Sequence, residues 1–166
     1  MAVPTEFERA RGRRNLALLL VLGAAALIVG LIPGMCASGN QPEVYAPTMA
    51  QVPANAAVRL PAWVPATARE VHARTDRSSG GRWVRFAFNP ADTERMTAGM
   101  RPLTAPETQA LVPSGPGFSP WWTLNERTMM GSQGKKLRAW EVGAPDAGYL
   151  VVDPRTSSAF FWTVAR

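Results

Sequence analysis

Hydrophobic and polar positions divide the chain into two unequal parts. From Asn15 to Pro42 there is no charged residue, and the stretch 16–32, "LALLLVLGAAALIVGLI", is almost wholly aliphatic. A core helix would show polar positions along one face, and none appear here. A helix of this length, at ~1.5 Å per residue, approaches the ~30 Å of a hydrocarbon core. The pattern therefore predicts a transmembrane helix over 15–35, preceded by a cytoplasmic basic tail over 1–14. Residues 36–58 carry three prolines, no helical period and little charge, which predicts a Pro-rich linker. Residues 59–166 then form an extracytoplasmic domain.

Inside that domain the period changes to two. "REVHAR" alternates, with Val71 and Ala73 on one side and His72 on the other. After the turn cluster "TDRSSGG", "RWVRFAF" puts Val84, Phe86 and Phe88 on one face and Trp83, Arg85 and Ala87 on the other. Two such runs around a short polar loop predict a hairpin. Asn89-Pro90 is a helix start, and Thr104 with Glu107 has the spacing of a capping box. Three further strands are expected over 137–142, 149–153 and 159–164, with "GAPDAG" and "PRTSS" as turns. Both faces of the last strand are apolar, so it is expected to be central or covered. The fold class that follows is α+β: an N-terminal transmembrane helix, then a mostly antiparallel five-stranded sheet with one or two short helices on one face.

Charge sets the orientation. Arg9, Arg11, Arg13 and Arg14 precede the apolar run, and the next cation after it is Arg59. The positive-inside rule keeps the N-terminus cytoplasmic and exports the rest, which predicts a single-pass protein of the bacterial inner membrane. Two other fates stay open: cleavage after "CAS" with Gly39 as the new first residue, and lipidation at Cys36, whose Pro33 and Met35 suit that reaction poorly. The length of the run favours an uncleaved anchor. The net charge of +6 is spread thinly, with only Lys135, Lys136 and Arg138 dense. A nucleic-acid stripe would be more clustered, so no nucleic-acid partner is expected. The dense trio is a candidate contact for anionic lipid headgroups of the bilayer.

Candidate chemistry is sparse. There is one histidine, His72, and one cysteine, Cys36. That leaves no disulfide and no metal site of the His/Cys type, so neither metal nor cofactor is expected. No serine sits in a Gly-x-Ser-x-Gly frame, and no glycine spacing matches a phosphate loop. Met129-Met130 reads as core or loop filler rather than a soft metal pair. Trp121, Trp122 and the outer face of Trp83 are candidate binding residues, since aromatic anchors dominate interfaces. No catalytic residue stands out.

The segments "LPAWVPATAREVHAR", "RWVRFAFNPAD", "PWW" and "YLVVDPRTSSAFFW" together resemble small bacterial membrane-anchored or lipoprotein-like proteins over about residues 60–162. The resemblance implies fold and compartment and carries over no activity and no functional residue. The functional expectation is an interaction module of the cell envelope that meets an envelope protein or a cell-wall component. The alternative is a small envelope hydrolase using carboxylates or His72.

Overall fold

The structure, a computed structural model, describes residues 41–117 and 119–163. Its centre is one seven-stranded sheet in which every neighbouring pair is antiparallel. The strands are β1 (Glu43–Thr48), β2 (Arg69–Thr75), β3 (Arg82–Ala87), β4 (Arg101–Pro102), β5 (Arg138–Val142), β6 (Gly148–Asp153) and β7 (Ser158–Thr163). Their spatial order is β1-β2-β3-β7-β6-β5-β4, so β7 lies at the middle of the sheet. The helices are short: α1 (Thr93–Thr97), α2 (Ala105–Ala110) and α3 (Glu126–Met130).

This corrects the expected fold. The sheet has seven strands rather than five. β1 comes from residues expected to be linker, and β4 is a two-residue strand paired to β5. The membrane-spanning reading is also overturned. Among the described residues no helix is long and apolar enough to cross a membrane; α1, α2 and α3 have five or six residues where a span needs about 20. The predicted helix over 15–35 and Cys36 lie outside the described residues, and the inner-membrane location is withdrawn with the span on which it rested.

Period-two alternation gives the sheet two apolar faces. On the first, Val44, Ala73, Val84, Phe161, Leu150 and Trp140 form a row from β1 to β5. The row is covered by the loop from β1 to β2, through Val58, Trp63, Val64 and Ala68, and by Met96 of α1. Trp63 packs edge-on against Phe161 at 5.2 Å between ring centres. On the second face Phe160, Trp162 and Val151 are covered by Trp121, Leu124 and Met129 from the segment between β4 and β5. Both faces of β7 are thus buried, which is why its sequence is an unbroken apolar run.

Local signals explain where the short helices begin. Asn89 accepts a hydrogen bond from the Ala91 amide at the single turn Pro90–Asp92 that leads into α1. Thr104 and Glu107 close a capping box on α2, the hydroxyl accepting from the Glu107 amide and the carboxylate accepting from the Thr104 amide. Asn125 caps α3 by accepting from the Thr128 amide. At the start of β2, pairing with β3 shifts register between Arg69 and His72, and Glu70 takes φ 48°. One extra residue is absorbed there as a bulge, so Val71 still points to the first core and His72 to the second face.

Candidate functional site

The second face holds the aromatic and charged side chains that the sequence singled out. Cross-strand register sets Tyr45, His72, Arg85, Phe160, Val151 and Ala139 side by side in one row. Beside it runs a second row of Glu43, Arg74, Trp83, Trp162, Tyr149 and Glu141. Directly opposed side chains in antiparallel strands lie close enough to interact, so the two rows act as continuous surfaces.

At the β1 end, His72 is held between two rings. Tyr45 packs on it at 4.6 Å and Trp121 stacks nearly parallel to it at 5.3 Å. Trp121 is fixed in turn by its indole N–H, which donates to Glu43 Oε1 at 2.8 Å. Arg74 donates to Ser119 Oγ at 2.9 Å, to Gln41, and lies 3.7 Å from Glu43 Oε2. Burial and the Arg85 guanidinium hold the His72 imidazole toward its neutral form, against the weaker pull of Glu43 and Glu70. Tyr45 closes the array at the surface and is 59% exposed.

Toward the centre, Trp122 sets its edge against Phe160 at 5.5 Å and Trp162 at 6.3 Å. The Arg85 guanidinium lies over the Phe160 ring at 5.8 Å. Beside it opens a cavity of about 270 Å³, walled by the second face, by residues 123–137 and by the turn between β6 and β7. Arg85 Nε is buried and has no hydrogen-bond partner among the described residues, and no carboxylate pairs with Arg85 there. Arg155, also on the cavity wall, is paired with Asp153 at 3.4 Å and reaches Gln133 at 3.3 Å.

No family model matches the chain, and no curated protein or solved structure proves similar to it.

Trp121 and Trp83 are buried in the second core, and Trp122 is half-buried. The three tryptophans are brought together but serve chiefly as the cover and floor of that core. Lys135, Lys136 and Arg138 are exposed at the turn entering β5. His72 has no carboxylate hydrogen-bonded to it among the described residues. Asp76, in the turn that follows β2, accepts hydrogen bonds from Ser78 and Ser79 instead. A histidine base of the triad type is held in its tautomer and orientation by a carboxylate, and His72 lacks that partner among the described residues. Among the described residues no cluster of His, Cys, Asp or Glu could hold a metal ion. Sequence reasoning missed Tyr45 and Arg85. The signal for Arg85 was its place in "RWVRFAF", an arginine facing the same side as Trp83 on a strand whose both faces are covered.

Proposed function

We propose that this domain is a non-catalytic interaction module that takes up an extended segment of a protein partner along the outer edge of β1. The observation that carries this reading is Tyr45, more than half exposed at the middle of an edge strand and backed by the fixed stack of His72 and Trp121. Pro42 O accepts from the Thr75 amide, so even-numbered residues of β1 face β2. By alternation, the amides and carbonyls of Glu43 and Tyr45 face away from the sheet. Among the described residues no strand pairs with that edge. An extended peptide added there gains main-chain hydrogen bonds, while an aromatic side chain held by its neighbours supplies a rigid anchor. Pro47, which has no N–H, limits how far such a strand extends and guards the edge against unspecific pairing.

The test is site-specific photo-cross-linking of the full chain in its native host. A photoreactive phenylalanine at position 45 is expected to give a discrete adduct with one protein. The same group at Val112, which is 66% exposed and far from β1 in sequence, is the control and is expected to give none. No adduct at 45, or equal adducts at both positions, refutes the reading.

A further inference from the structure

We propose that Arg85 anchors a binding site for a compact oxyanion, the phosphate or carboxylate group of a small ligand, in the cavity between the second face and residues 123–137. This goes beyond the proposed partner at β1 and stands independently of it.

A guanidinium withdrawn from water is unfavourable unless an acceptor replaces the lost hydration. Arg85 sits half-buried on a central strand, with Nε buried and unpaired among the described residues. Its contact with Phe160 uses the flat face of the group. Such stacking contributes about 0.5–2 kcal/mol but leaves the buried Nε–H, which lies in the plane of the group, without a partner among the described residues. Those donors form a fork that matches two oxygens of one anion.

The rest of the wall suits the same guest. Thr123, Thr128 and Ser158 bring hydroxyls, Gln133 an amide, and Arg155 a second guanidinium. The one acid on the wall, Asp153, is already occupied by Arg155 and by the Arg155 amide, which donates to it at 2.9 Å. The cavity therefore keeps one uncompensated positive charge among the described residues. A volume of about 270 Å³ lies at the small end of ligand pockets, which favours a compact group over a large one.

His72 gives the readout. It is the only histidine in the chain, so its ring protons are resolved by NMR without assignment. The groups that bear on it are the Tyr45 and Trp121 rings, the cation Arg85 and the anions Glu43 and Glu70. An anion seated on Arg85 cancels the field that disfavours the imidazolium, so His72 titrates at higher pH when the site is filled.

The purified full chain is titrated at constant ionic strength with inorganic phosphate, with acetate, and with sodium chloride alone. A saturable upward shift of the His72 titration with phosphate or acetate, absent with chloride, supports the site. The ion that saturates names the group. Arg85→Gln is expected to raise the His72 titration by itself and to weaken saturation at least about tenfold. Arg155→Gln, on an exposed turn, is expected to weaken saturation less. If shifts with phosphate and acetate merely match chloride, or saturation persists undiminished in Arg85→Gln, the proposal is overturned. Should Arg85→Gln fail to fold, undiminished saturation in Arg155→Gln overturns it instead.

Discussion

Replacing Phe160 and Phe161 separately by alanine tests whether the sheet is truly covered on both sides. The two residues are neighbours on β7, yet their rings enter different cores. Phe161 is 0% exposed and meets the edge of Trp63 and the Arg82 guanidinium. Removing a buried phenylalanine ring costs about 3–5 kcal/mol, and an aromatic pair adds about 0.5–1.5 kcal/mol to simple burial. Phe161→Ala is therefore expected near the top of the range, at about 4–5 kcal/mol. Phe160 is 5% exposed and loses Trp122 and the stacked Arg85, so about 3–4 kcal/mol is expected. The assay is equilibrium unfolding in urea at fixed pH, comparing midpoints at unchanged slope. Taken together the two single costs come to about 7–9 kcal/mol. That sum approaches the whole stability of an ordinary domain, about 5–15 kcal/mol. A cost below about 1 kcal/mol for Phe160→Ala, the value of a surface change, would refute the claim that residues 103–137 cover a second core.

Two further outcomes are expected. Glu107 is held at about 2 by the Thr104 amide, by Arg101 and by the Thr104 hydroxyl, below its ordinary 4.5. A depressed carboxyl stabilises the fold above its unfolded value and loses that contribution as pH falls through the folded one. The gap in unfolding midpoint between the native chain and Glu107→Ala should thus be constant above about pH 5.5 and narrow steadily toward pH 2; a gap independent of pH would show that the charge contributes nothing. Gly148→Ala would place a Cβ 2.2 Å from Trp162 O and 3.0 Å from a Phe161 ring carbon. The central ladder between β6 and β7 must then shift, and a loss of at least about 1–3 kcal/mol is expected by thermal unfolding; an unchanged melting temperature would contradict the close approach.

The sequence made some of this architecture readable and hid the rest for physical reasons. The hairpin of β2 and β3 and the meander of β5, β6 and β7 announce themselves because burial on alternating or on both faces leaves period two or an apolar run. The caps at Asn89 and Thr104 are legible because capping is a local hydrogen bond between residues two or three apart. β1 is hidden: "EVYAPT" contains a proline, and this edge strand buries Ala46 fully and Val44 only in part. β4 is shorter than any periodic signal. The site was less visible still. Trp121, Trp122 and Trp83 were noticeable as aromatic residues, but whether they cap a core or face a partner depends on chain segments far apart in sequence. Arg85 becomes unusual only when the segment 123–137 folds over it and brings no carboxylate.

The strand order also has a consequence for the cost of assembling the chain. β1, β2 and β3 form one meander and β5, β6 and β7 another, each closed by connections of moderate length or short turns. A single ladder, Trp83–Ala87 against Ser158–Trp162, joins them. Some seventy residues separate its two sides, and the entropy of closing a loop rises with the logarithm of its length. The largest loss of chain freedom in the sheet therefore falls on one seam, and that seam carries the ion pair of Arg82 with Asp146 at 2.6 Å as well as five residue pairings. Arg85 and Phe160 face each other across it. The proposed anion site is thus absent from either half alone and exists only once the two halves have met.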